Sequence, residues 1–201
     1  GAVYAKLNGF NNFEVSLFIV IITIFGAIFQ WPIGIISDKI DRRLVLILVT
    51  LIAAGTSLLI IIFSLLSTLI LFILVGIYAG MSLPMYSLVI AHTNDYLKPD
   101  EIVAASSSLG VTVGLGAIFG PILSSYFMNI IGPNGLFVFL FLTHLALGLF
   151  GLYRLSVRTK PENIKSQYVP IPRTITPVGM ELNPKADQDD NYFGEDSFFK
   201  K

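Results

Sequence analysis

The run Gly34-Ile35-Ile36-Ser37-Asp38-Lys39-Ile40-Asp41-Arg42-Arg43 interrupts two long apolar stretches, 13–36 and 44–64, neither of which contains a Lys or Arg. Charge is expensive inside a bilayer, so a charge cluster between two stretches of roughly 20 apolar residues reads as a loop joining two membrane-crossing helices. Gly34 lets another helix approach closely. Asp38 ends the first helix, where it can face the N-terminal dipole of a neighbour or pair with a basic residue. Arg42 and Arg43 hold the loop in the cytosol and can bridge to acidic groups on another helix. Basic residues alone would make a stop-transfer signal; the joint placement of Gly, Asp and Arg-Arg argues for more.

Outward from this loop, three more stretches, 69–92, 102–127 and 135–153, are long and apolar enough to cross a membrane. The 201 residues are only 13% charged, with a mean hydropathy of +0.77, whereas a soluble domain carries about 25% charged residues. Too few polar residues remain to cover five apolar helices in water. The expected fold is therefore all-α: a polytopic membrane protein with five transmembrane helices. Eight of the thirteen Lys and Arg lie in residues 154–201, so the net charge of zero hides a two-part layout and implies no charged partner. The absence of cysteine excludes a disulfide frame, a thiolate nucleophile and a Cys-type metal site.

Positive charge alternates across the connections. Lys39, Arg42 and Arg43 fall in the first loop (Ser37 to Arg43), Lys98 in the third (Thr93 to Glu101), and Arg154, Arg158 and Lys160 after the last helix. The second loop (Leu65 to Thr68) and the fourth (Asn129 to Asn134) have none, and Lys6 stands alone before the first helix. The positive-inside rule then places the first and third loops and the tail in the cytoplasm. Three regions are expected: 1–12, the outer end of a helix that begins upstream plus an extracytoplasmic loop; 13–153, the five-helix bundle; and 154–201, a cytoplasmic tail. Pro161, Pro170, Pro172, Pro177 and Pro184 rule out a long helix in that tail, and its acidic end is expected to be solvated and largely disordered. Gly1 carries no signal-peptide features, and the chain is expected to begin in mid-sequence.

The loop resembles the G-x-x-x-D-[RK]-x-[GD]-R-R signature of major facilitator transporters, with Gly34, Asp38, Lys39, Asp41, Arg42 and Arg43 at its consensus positions. Gly116-Ala117-Ile118-Phe119-Gly120-Pro121 is similar to the family's G-x-x-x-G-P element. Ser124 and Ser125 stand where its fullest form has Gly-Gly, which does not support an antiporter. Gln30 to Gly34, Pro84 to Ser87, Ala91 to Asp95 and Tyr168 to Thr174 resemble the YcaD-like bacterial branch. The resemblance implies a twelve-helix fold of two six-helix halves, of which this chain is the C-terminal part: helices 8 to 12, with Gly1 to Phe10 ending helix 7. Helices 2 to 6 are the alternative register, in which the tail would be the central loop. The resemblance further implies alternating access between the halves, with the loop motif biasing inward and outward states.

On that basis Gln30, Tyr78, Met81 and Tyr86 are candidates for the substrate pathway. Gln30 must find a partner or water inside an apolar helix and serves equally as interhelical glue; Tyr78 lies between the packing glycines Gly76 and Gly80. Pro84 should bend the third helix. Gly110, Gly114, Gly116 and Gly120 should pack tightly against a neighbour, next to Pro121. His92, Asn94 and Asp95 are either a cytoplasmic gate or simply a helix end. His144 reads as a structural histidine, and Asp100 and Glu101 as dipole partners at a helix start.

No Ser-His-Asp set, phosphate loop, metal cluster or carboxylate pair occurs, so enzyme chemistry has no residues to act with. No cofactor is expected, and no basic patch interleaved with aromatics suits nucleic acid. The expected partners are the lipid bilayer, a small solute, a proton or other coupling ion, and the missing N-terminal half. The expected place is the bacterial inner membrane. No Asp, Glu, Lys or Arg lies in mid-membrane, so either coupling resides in the other half or the carrier is a facilitator. The rival reading is a non-transporting five-helix scaffold or regulatory subunit.

Overall fold

The computed structural model describes residues 1–64, 66–97 and 101–157. They form seven helices: α1 (Ala2–Leu7), α2 (Asn12–Lys39), α3 (Arg42–Phe63), α4 (Thr68–Ser82), α5 (Met85–Asn94), α6 (Ile102–Ile131) and α7 (Gly135–Val157). No strand occurs among the described residues. Five spans are long and apolar enough to cross a membrane, α4 and α5 together making the third. At 1.5 Å per residue, α2 is about 42 Å long, enough to cross a hydrocarbon core at a tilt.

Helix ends follow local chemistry. Asn11 and Glu14 form a capping box at the start of α2, Glu14 N–H donating to Asn11 Oδ1 at 3.0 Å and Asn11 N–H to Glu14 Oε2 at 2.8 Å. Ser67 caps α4 through Leu69 N–H. Gly132, with φ +87°, ends α6 in a conformation that glycine adopts readily. The third span divides at Leu83-Pro84 because proline has no N–H for the Gly80 carbonyl and its ring crowds that turn. The bend expected at Pro84 thus takes the form of a break between two helices. The first connection shrinks from the expected 37–43 to Ile40 and Asp41 alone, since helix continues to Lys39 and resumes at Arg42. The last helix runs to Val157, four residues into the stretch read as tail. Lys98, Asp100 and residues 158–201, with their prolines and the Tyr168 to Thr174 segment, lie outside the described residues.

α3 packs against α4 and α7, α2 packs against α4, and α6 packs mainly against α7. Two contacts use large side chains over glycine. A Cβ on Gly76 would lie 2.9 Å from the Phe25 ring, one on Gly80 would lie 2.8 Å from Phe29, and Leu83 sits directly over Gly26. Across α3–α7, Leu51 and Ile47 sit over Gly148 and Gly151. Such smooth surfaces bring helix backbones close, the main source of attraction where lipid supplies no hydrophobic drive. The core forms two clusters, one around Tyr4, Phe18, Phe72 and Phe137, the other around Ile33, Val45, Val49, Ala53, Met81 and Leu88.

α6 differs. None of its described side chains is fully buried, and a Cβ on Gly110, Gly114, Gly116 or Gly120 would meet nothing within 4 Å. Among the described residues, the tight packing expected of these glycines is not made.

Candidate functional site

Asp41, Arg42 and Arg43 are consecutive, yet the structure gives the two arginines different tasks. Asp41 is the N-cap of α3 and accepts the Arg43 N–H at 3.0 Å. The same carboxylate takes the Arg43 guanidinium in a fork, from Nε at 3.1 Å and from Nη2 at 2.9 Å. This pair is local and braces the turn.

Arg42 points inward and is 2% exposed. Its Nη2 donates to Asp38 Oδ1 at 2.7 Å, on the last turn of α2. Its Nη1 donates to the Ala91 carbonyl at 2.9 Å and lies 3.2 Å from Asp95 Oδ1. Ala91 is in the last turn of α5, and Asp95, also 2% exposed, is its C-cap. One guanidinium therefore joins the ends of α2, α3 and α5. The negative end of the α5 dipole favours a cation at this position. The planar fork of arginine suits two acceptors at an angle, which a lysine ammonium reproduces poorly.

Gly34 is buried, and its carbonyl accepts the hydroxyl of the fully buried Ser37 at 2.8 Å, which smooths α2 where the network begins. Lys39 is exposed. Of the helix-end trio, Asp95 enters the Arg42 network, His92 stacks edge-on against Tyr96 at 5.1 Å, and Asn94 is half-buried beside them.

Of the four pathway candidates, Met81 belongs to the second core cluster and Tyr78 packs against it. Gln30 donates to Ser87 Oγ at 3.2 Å, linking α2 to α5. Tyr78 meets His144 at 5.5 Å and Phe137 at 6.3 Å, both edge-on. Met81 lies in the packed core, and Tyr86 is half-buried on the first turn of α5. His144 accordingly sits in an aromatic setting, its Nδ1 2.8 Å from the Leu140 carbonyl. Gly116, Gly120 and Pro121 lie on the open side of α6. Sequence reading missed Ser87 and the Ala91 carbonyl. Each partner is about fifty residues or more from the group it binds, and neither residue type advertises the pairing.

Three comparisons bear on this arrangement. The family model described as Major Facilitator Superfamily matches residues 2–185. The uncharacterised MFS-type transporter YfkF of Bacillus subtilis is 31% identical over 154 residues, covering 70% of this chain and 36% of its own length. The uncharacterised MFS-type transporter YcaD of Escherichia fergusonii is 26% identical over 136 residues, with 68% of this chain and 34% of its own covered. An uncharacterised MFS-type transporter of Yersinia pseudotuberculosis is 27% identical over 170 residues, with 84% and 41% covered. The chain thus spans between a third and two-fifths of the curated relatives it matches. No solved structure matches it significantly. With five membrane-crossing helices, the loop signature and a family match along most of its length, the chain belongs to the major facilitator superfamily.

Proposed function

We propose that this chain is the C-terminal part, helices 8 to 12, of a secondary transporter that moves a small solute across the bacterial inner membrane by alternating access. The observation that carries the reading is the Arg42 clamp, which ties α2, α3 and α5 at the end bearing the positive loop. A buried charge with two carboxylate partners is stable only in one arrangement of the three helices, because separation leaves an uncompensated charge. It therefore serves as a latch for one access state. Asp38 and Arg42 are the latch, Asp41 and Arg43 brace its turn, and Asp95 with the α5 end is the catch.

Family membership and the names of the relatives support a transport function. The open glycine- and serine-bearing side of α6, from Ser106 to Gly120, suits close approach by helices of the other half better than contact with lipid chains alone. Gln30 and Tyr86 remain the pathway candidates, with Tyr78 and Met81 as packing behind them. The positive-inside rule puts the Arg42 end and the tail in the cytoplasm. With no charged residue in mid-membrane here, either coupling resides in the other half or the carrier is a facilitator.

The test uses the full-length protein. Spin labels placed across the two ends of the bundle report the population of each access state, and these 201 residues contain no cysteine to compete for the label. Asp38→Ala should shift that population toward the state in which the latch is open. An unchanged distance distribution, together with an upstream reading frame lacking seven further hydrophobic spans, would favour the scaffold reading.

A further inference from the structure

Pro84 divides the third span into two helices, and the two are held in different ways. α4 is held by packing. Phe25 and Phe29 of α2 lie over Gly76 and Gly80, and Leu83, the C-cap of α4, sits over Gly26. Leu71, Phe72, Val75, Ala79 and Met81 are buried along the same helix. Helices interlocked at glycines part only by opening voids, so this interface resists gradual deformation. α5 is tied largely by polar contacts. Gln30 Nε2 donates to Ser87 Oγ at 3.2 Å, while Arg42 Nη1 donates to the Ala91 carbonyl at 2.9 Å and lies 3.2 Å from Asp95 Oδ1. Leu88 is the one large apolar side chain that α5 buries fully.

The junction between them permits a change of direction. The Leu83 N–H donates to the Ala79 carbonyl at 2.9 Å and closes α4, and the Leu88 N–H donates to the Pro84 carbonyl at 3.0 Å and opens α5. Pro84 has no N–H to give, so the ladder that would stiffen one continuous helix is interrupted there. Leu83 and Pro84 both keep helical torsions, with φ −69° and −66°. Modest torsion changes at these two residues therefore re-aim α5, as hinge positions at element ends do. Leu83, anchored on Gly26, fixes the near side of the pivot to α2. We infer that α5 is a hinged leaf: it pivots at Leu83-Pro84 while α4 stays on α2, and Arg42 at its far end holds or releases it. The inference rests on reading the Arg42 contacts as a latch, and it names the element that the latch frees.

Two pairs of spin labels in the full-length protein test it, all on exposed positions. One pair, Ile36→Cys with Val89→Cys, spans α2 and α5; the other, Ile24→Cys with Ile73→Cys, spans α2 and α4. Asp95→Asn, which weakens the hold of Arg42 on α5, should add a second population to the first distance distribution and leave the other pair unchanged. Adding Pro84→Ala should remove that population by joining α4 to α5. A shift in both pairs would mean that the whole span moves, and a second population that survives Pro84→Ala would place the pivot elsewhere; either overturns the hinge. No shift in either pair, while labels across the two ends of the bundle still report two access states, would overturn the hinge and leave the transport reading standing. Hydrogen exchange on the unmodified full-length protein covers the case in which the variants misfold. Amides of 86–94 should exchange at least about ten-fold faster than those of 72–82, and equal protection of the two segments would refute the proposal.

Discussion

Arg42, the first residue of α3, donates to the carbonyl of Ala91 in the last turn of α5 at 2.9 Å. That carbonyl also accepts the Asp95 N–H at 3.2 Å. One helix end is thereby closed by a side chain from another helix, with Asp95 and Asp38 balancing the charge. Membrane helices have no water to satisfy such groups, so a donor delivered from a neighbour fixes their relative position.

Removing the guanidinium leaves two carboxylates without their cation. Arg42→Gln in the full-length protein should cost about 3–5 kcal/mol, read as a loss of thermal stability in detergent. Arg42→Lys should recover only part of it, since one ammonium cannot serve both directions. In a double-mutant cycle with Asp95→Asn, the combined loss should be clearly smaller than the sum of the single losses. Additive losses would mean that the pair does not act together.

Asp41 carries two roles that substitution separates. Asp41→Ala removes both the α3 cap and the Arg43 partner and should cost about 1–2 kcal/mol. Asp41→Asn keeps the cap and loses the charge pairing, so it should cost less than Asp41→Ala. Chemical unfolding in detergent measures both.

The glycine contacts make a sharper forecast. Gly80→Leu and Gly76→Leu would drive a side chain into the Phe29 and Phe25 rings and should destabilise by about 1–3 kcal/mol or more. A Cβ on Gly55 in α3 would meet nothing within 4 Å. Gly55→Ala should therefore be neutral or raise stability by up to about 1 kcal/mol, through helix propensity alone. Melting temperatures of the three variants decide it.

Gln30 and Ser87 test glue against pathway. If the 3.2 Å bond is only structural, Gln30→Leu and Ser87→Ala should each cost about 0.5–1.5 kcal/mol. Both should then leave transport of the solute unchanged once it is identified. The pathway reading expects Gln30→Leu to alter the apparent affinity for the solute while Ser87→Ala does not. Radiolabelled uptake into vesicles distinguishes them.

Much of the architecture was legible in the residues. The five apolar stretches became five spans within a few residues of their expected ends, because a bilayer imposes length and polarity on each segment independently. Pro84 marked its break, since a missing N–H is a local fact. The capping box of Asn11 and Glu14 was equally local and was overlooked, although its N-x-x-E spacing announces it. The loop motif contains Asp38 and Arg42, which the structure brings together with Asp95, yet adjacent arginines look alike in sequence. Only the approach of α5 makes Arg42 the buried one and leaves Arg43 with Asp41.

The amino-acid sequence by itself determined how many times the chain crosses the membrane, where it turns and to which family it belongs. The first two follow from the polarity and the backbone chemistry of neighbouring residues, and the family from the resemblance of the 34–43 run to its signature. Tertiary structure alone decided that Arg42 closes the end of α5, that Gln30 meets Ser87, that Met81 is packed inside and that the α6 glycines stay uncovered. Those outcomes depend on which faces of helices remote in sequence come together, and helix packing is selected by the fit of whole surfaces, which no single segment encodes.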